Sequence, residues 1–455
     1  MSVPEHAAAA VVAGDEAGRR RARHHGQRDQ RGRTAVVGSG VAGLTAAYRL
    51  QLAGAEVELF EAEDRLGGHA HTQEVTGADG RTIPLDTAFL VHNDRTYPHL
   101  TELFRELGVA TRASEMSMSV HCRGCGLQYA GARGPGGLLA QPARALRPGY
   151  LRMLSEVPRF HRRARRLLAD TRPAADGVTL TRFLAAGGFS SYFTSHFMTP
   201  LVSAVWSCAP DVAGEYPARY LFAFLDNHGL LAVTGSPTWR TVVGGSRTYV
   251  DKVAARLTAV RRATPVRAVR RHPDAVELTT AAGERTEFDA VVIATHPDQA
   301  LRLLADPTAA EREVLGGFRH SLNPTVLHRD ASLLPTAPRA RASWNYRMAD
   351  CSGRADRVQV SYHLNRLLGL DTAEDYVVTL NEDRGRPVPP GQVLARMSYR
   401  HPLYTPDSVA AQRRLPELTT ARTAYAGAYH GWGFHEDGCR SGVLAARALA
   451  GVSAS

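Results

Sequence analysis

"AVVGSGVAGLTAAYRLQLAGAEVELFEAEDRLGGHAHT" occupies residues 35–72, and the rest of the chain is read outward from it. Thr34 to Val37 is a short β-favouring run, after which Gly38, Gly40 and Gly43 give G-x-G-x-x-G. From Val41 to Leu50 the apolar residues follow helical spacing. Such a strand–turn–helix lets backbone N–H groups and the positive helix end meet a pyrophosphate. Gly38 permits the turn, Gly40 lets a phosphate approach, and Gly43 lets helix pack on strand. Ser39, Val41 and Ala42 complete the set of turn residues expected to bind the cofactor. A second strand, Glu56 to Phe60, ends at Glu61 beside Ala62. That is 61 − 38 = 23 residues past the first glycine, close to the spacing of about 20 expected for a ribose-binding acid. A lone glycine motif would be weak; both strands, the helix and the acid together specify a dinucleotide site.

The choice between NAD and FAD falls to Asp64-Arg65-Leu66-Gly67-Gly68 and Thr72. This run resembles the D-R-x-G-G-R-x-x-T element of the flavin amine oxidase superfamily, which also holds protoporphyrinogen oxidases and carotenoid desaturases. The resemblance implies FAD, held noncovalently, with Arg65, Gly67 and Gly68 beside it. His69 replaces the usual arginine and puts one charge-assisted contact in doubt. In "TIPLDTAF" (residues 82–89), Asp86 and the backbone from Ala88 and Phe89 stand where relatives pass the flavin, although Ala88 replaces a frequent glycine. Val266 stands where relatives hold the adenine. "YAGAYHGWGFHEDGCRSGVLAARAL" (residues 425–449) resembles the closing strand and helix of the family, so Gly427, Phe434, His435 and Glu436 join the cofactor set. A helix N-terminus there favours an anionic reduced flavin. From about residue 34 to 450 the chain is similar to a bacterial subfamily of flavin-containing oxidoreductases found beside or fused to cyclopropane fatty acid synthases.

The implied fold is α/β. A discontinuous Rossmann-like FAD-binding domain of the amine oxidase/glutathione reductase type (residues 34–95, 242–300 and 418–452) carries an inserted α+β substrate domain (96–241 and 301–417). Residues 96–241 read as mostly helical, and Gly134-Pro135-Gly136-Gly137 reads as lacking a preceding strand, so no nicotinamide site is expected.

Composition fits this frame: 455 residues allow two domains, with 44% hydrophobic and 22% charged residues. No apolar run reaches the ~18 residues of a spanning helix. The net charge of +11 comes almost wholly from arginine, Lys252 being the one lysine. Residues 1–33 lack the order of a secretion signal and read as a disordered basic tail; its interspersed acids argue against nucleic-acid binding. Five scattered cysteines point to a reducing, cytoplasmic setting. Cys122-Arg-Gly-Cys125 has metal-like spacing with His121 adjacent, yet nothing nearby in sequence completes four ligands. A hairpin turn through Gly124 and Gly126, without metal, is the expectation.

Flavin carries the redox chemistry, so the protein need only align a bond and exclude water. Trp432 and Phe434 are the expected pocket wall; His435 either takes up a proton or packs its ring while its backbone meets the flavin. Tyr429, His401 and Tyr404 are further pocket candidates, and "SAVW" (203–206) with Asn227-His228 is an alternative location. Relatives often place a lysine near the flavin; Asn323 stands roughly there. The stretch from Tyr150 to Leu168 is a basic amphipathic helix suited to peripheral contact with the inner face of a membrane. The leading expectation is dehydrogenation of a C–C or C–N bond in a small apolar or lipid substrate. Alternatives are a redox-neutral isomerase, an FAD-stabilised partner of a lipid-modifying enzyme, and an amine oxidase.

Overall fold

The computed structural model describes residues 32–172, 176–232, 235–383 and 385–450. Residues 1–31 of the basic tail lie outside the described residues, as do 451 and 452 of the last domain segment.

Five short strands build a wholly parallel sheet in the order 259–261, 56–60, 33–37, 290–293, 423–425. Val36, Val57, Leu59, Val291, Val292 and Ile293 are fully buried, as expected where both sheet faces are covered. Its strands come from three separated stretches of chain, residues 33–60, 259–293 and 423–425. The helix Val41–Leu52 leaves the first strand through the glycine turn. The C-terminal helix His435–Ala450 returns to lie against it.

A second, seven-stranded sheet runs in the order 393–403, 319–328, 377–380, 360–363, 344–348, 118–122, 128–131. It is antiparallel except where Trp344–Met348 runs parallel to Met118–Cys122. Helices between residues 134 and 227 cover it. The 96–241 segment is therefore less purely helical than its sequence pattern, since Thr111–Ala113, Met118–Cys122 and Gln128–Gly131 are strands. The last of these corrects the reading of Gly134-Pro135-Gly136-Gly137: a strand does precede it. That strand is an antiparallel edge, and the helix after it, Gly134–Leu138, spans only five residues. Neither matches the parallel strand and long helix of a second nucleotide turn.

The amphipathic stretch forms the helix Pro148–Ala169. Its apolar side is not free. Phe160 is buried edge-on against Phe183 and Phe222, and Met153 and Ala164 are fully buried. The periodicity that suggested a lipid-facing stripe reports core packing instead.

Candidate active site

Gly38 adopts φ +101°, and a side chain there would stand 2.7 Å from Ala294 O. At Gly40 the same test finds open space. The turn is thus closed toward the protein and open on the side from which a phosphate would come. Glu61 folds across it: Oε2 accepts from Ser39 N at 2.9 Å and from Ser39 Oγ, and Oε1 accepts from Glu63 N at 2.9 Å. Ala62 is exposed beside it. Thr264 N donates to Glu61 O at 2.8 Å, which sets the strand beginning at Val266 next to this acid.

The second glycine pair closes on the first turn. Gly67 N donates to Ser39 O at 3.0 Å, and a Cβ on Gly68 would lie 3.2 Å from Gly40 Cα. Arg65 reaches back to donate to Gly68 O at 2.8 Å. Phe89 N donates to His69 O at 3.2 Å, so the Ala88–Phe89 backbone follows the glycine pair. Buried Asp86 ties this loop to Gly245-Ser246 by accepting from Ser246 N at 2.9 Å and from Thr72 Oγ1 at 2.6 Å. Burial raises its pKa, and those hydrogen bonds oppose the shift.

The C-terminal helix packs on the glycine-turn helix through small residues. Gly438 faces Val41, and Gly442 faces Ala42 O so closely that a Cβ would collide. Thr45 Oγ1 donates to Cys439 Sγ at 3.5 Å. Contacts that advance together along both helices mean the two are parallel, with both N-termini at one end. Two positive ends therefore face the same cradle. Gly427 holds its approach, its N–H donating to Ser441 Oγ at 2.9 Å.

Glu436 has a different task from the one its position suggested. Its carboxylate accepts from His99 N and Nδ1 (3.1 and 2.7 Å) and Leu100 N (3.0 Å), capping the helix Pro98–Leu107. Asp437 accepts from Phe434 N at 3.1 Å, and burial pushes its carboxyl up to about 7. The His435 ring stacks on Phe89, with centroids 3.6 Å apart at 10°, and its Nε2 is hydrogen-bonded to Tyr249 Oη at 3.1 Å. Burial, with His69 and His92 nearby, holds its pKa well below the ordinary histidine value. This placement suits a ring that packs and positions the turn, the alternative to a proton acceptor.

Phe434 stacks on Phe224 with centroids 4.9 Å apart, and Trp432 lies 5.9 Å from the same ring. Trp206 Nε1 donates to Trp432 O at 3.0 Å, and His228 lies 6.0 Å from Phe434. The aromatic turn and the Ser203–Trp206 and Asn227–His228 segments, set against each other on sequence grounds, form one wall. Tyr404 and Tyr429 are core: both are buried, and Tyr404 Oη donates to Gly431 O at 2.8 Å.

Sequence reading missed a histidine-lined cleft at the edge of the glycine turn. His69 lies 5.5 Å from His401 and 6.2 Å from His296, which stacks on His320 at 4.5 Å. All four residues are half-buried. Burial, aided by neighbouring histidines and arginines, lowers His69 and His401 to about 3 and His296 and His320 to about 4. His69 is therefore neutral near pH 7 and does not replace the charge of an arginine. The four come from residues 69, 296, 320 and 401, and no local spacing joins them. Asn323 is buried and donates to His401 Nδ1 at 2.9 Å. Lys252 donates to Leu107 O and Gly108 O, capping a helix far from any flavin role.

The open Gly40 face, the crossing carboxylate of Glu61 and the two converging helix ends fit FAD. A family model described as flavin containing amine oxidoreductase matches residues 41–328, more than half of the chain. A Mycobacterium tuberculosis H37Rv protein described as a flavin-containing monoamine oxidase is 31% identical over 284 residues, 60% of this chain and 58% of its own length. The carotenoid phi-ring synthase of Streptomyces griseus is 31% identical over 287 residues, 60% of this chain and 53% of its own. The chain thus spans little more than half of these relatives. Among solved structures, cyclohexylamine oxidase from Brevibacterium oxydans IH-35A superposes with a TM-score of 0.65 at 17% identity, covering 92% of this chain and 99% of that one. A CLA-producing fatty acid isomerase from P. acnes gives a TM-score of 0.66 at 17% identity over the same shares. The chain belongs to the flavin-containing amine oxidoreductase family, with FAD as its cofactor.

Proposed function

We propose that this protein is an FAD-dependent dehydrogenase that takes hydride from a C–C or C–N bond of an apolar substrate, with a lipid acyl chain the favoured class. The observation that carries this reading is the aromatic wall of Trp432, Phe434 and Phe224, mounted where the C-terminal helix begins. Bound FAD supplies the two-electron acceptor. The wall orients an apolar chain and keeps water from the reacting bond. The paired helix N-termini favour the negative charge that reduction adds. Phe89 and Tyr249 fix the His435 ring, which positions the turn. Lys252 is committed to capping a helix, which supports a dehydrogenase over an oxidase with lysine-assisted oxygen chemistry. Cys439 is buried between two helices, which supports noncovalent attachment.

The fold shared with a fatty acid isomerase favours a second reading, redox-neutral isomerisation of an acyl chain. Anaerobic mixing of the FAD-loaded protein with saturated acyl chains, unsaturated acyl chains and primary amines separates these readings. Lasting loss of flavin colour with an acyl chain is the expected result. Recovered colour with a product of unchanged mass indicates the isomerase, and bleaching by amines alone indicates an amine oxidase. Trp432→Ala and Phe434→Ala should retain FAD yet slow its reduction at least tenfold, the ~1.4 kcal/mol of a lost apolar contact. Normal rates in both would remove the pocket from this wall.

A further inference from the structure

Away from the flavin cradle, Cys122, Cys125, His196 and Cys351 bring four ligand atoms within 4.8 Å of one another. Cys122 ends the strand Met118–Cys122, and Cys125 sits in the hairpin before Gln128–Gly131. The neighbouring strand Trp344–Met348 runs parallel, with Met348 in register with Cys122, so the chain reaches Cys351 three residues later beside the hairpin turn. His196 comes from a π-helical turn, Thr194–Met198, an irregularity frequent at functional sites. His121, next to the pair in sequence, is not among the four.

We infer that these residues form a closed Cys3His zinc site that pins the hairpin, the π-helical turn and the Asp350–Gly353 turn together. Zinc with Zn–S bonds of about 2.3 Å in a tetrahedron sets its sulfurs about 3.8 Å apart. Cys122 and Cys351 Sγ are 3.7 Å apart, and Cys125 Sγ is 3.7 Å from His196 Nε2. A disulfide needs sulfurs at about 2.05 Å, well inside this spacing. Ser195 Oγ meets His196 Nδ1 at 2.8 Å, which leaves Nε2 as the ligand atom, and Tyr192 stacks on the ring at 3.9 Å. The three segments are held in close contact. A Cβ on Gly124 would stand 2.9 Å from Asp350 Cα, and one on Gly353 2.8 Å from Ser195 Cβ. Four protein ligands leave no open position, so the role is structural. Cys351 is exposed and gives the metal its entry path.

The test uses the full-length, FAD-loaded protein purified with reductant and without chelator. Elemental analysis should find about one zinc per chain. Cobalt(II) exchanged into the site should give the visible spectrum of a tetrahedral thiolate centre. Cys351→Ser and His196→Gln should each retain less than about a tenth of the zinc, whereas His121→Gln should retain all of it. FAD content reports whether each variant is folded. If the ligand variants do not fold, the wild-type cobalt spectrum and a chelator-induced fall in melting temperature decide the matter alone. Absence of zinc together with no tetrahedral cobalt spectrum would overturn the inference. So would a native Cys122–Cys351 disulfide, or full zinc in folded Cys351→Ser.

Discussion

Glu61 occupies the one place where a single carboxylate meets the glycine turn, a serine hydroxyl and the start of the next loop. Glu61→Ala should weaken FAD binding by about 1.5–3 kcal/mol, the worth of a charged hydrogen bond, read as roughly 10- to 100-fold in Kd by flavin fluorescence. Unchanged retention would remove the acid from the ribose. The histidine cleft gives a pH dependence with a definite sign. His69, His296, His320 and His401 hold pKa values of about 3 to 4 in the fold, against about 6.5 in the unfolded chain. The unfolded chain binds more protons between these limits, so the cleft's contribution is complete above about pH 6.5 and is lost as pH falls toward 3 to 4. The urea midpoint of the FAD-free protein should drop across that window. The double variant His296→Gln, His320→Gln should flatten the slope; an unaltered slope would place the acid sensitivity elsewhere.

The packing of the C-terminal helix on the glycine-turn helix has little tolerance for volume. Gly442→Val should cost about 1–3 kcal/mol through overpacking and release FAD. Leu444→Ala, two residues on at a position 51% exposed, should stay within about 0.5 kcal/mol. Equal effects of the two on melting temperature would argue against close helix contact. The glycine turn, the acid after the second strand and the small-residue helix were legible because each is a local spacing imposed by backbone geometry. The helix from 148 to 169 left its partner open because amphipathicity reports an apolar face without saying what covers it. Glu436 looked like a cofactor residue because sequence cannot show a carboxylate capping a helix more than 300 residues earlier. The histidine group draws on distant segments, so no spacing rule reaches it. Of the Cys3His group only the Cys122–Cys125 pair shows as a spacing, and nothing local joins it to His196 and Cys351.

Among the described residues, charge and exposed apolar side chains alternate along the stretch from 139 to 152. Leu139, Leu146 and Leu151 are 45%, 73% and 47% exposed, and exposed Arg147 and Arg152 stand among them in sequence. We propose this as the face for peripheral contact with anionic lipid, made by the residues before the long helix and its exposed first turn. Co-flotation with anionic vesicles, lost in a Leu146→Ser, Leu151→Ser variant that retains FAD, is the expected result; no flotation would leave the protein without lipid contact. Among the described residues, no helix is long and apolar enough to cross a membrane. The parallel helix pair sets an order of events during synthesis. Thr45 and Cys439 are 394 residues apart in the chain, so the cradle gains its second wall only after the intervening residues have been made. Non-local contacts of this span form late. FAD loading should therefore follow synthesis of the helix His435–Ala450, and chains truncated at Phe434 should be colourless. Yellow colour then certifies that the chain has been made through that helix.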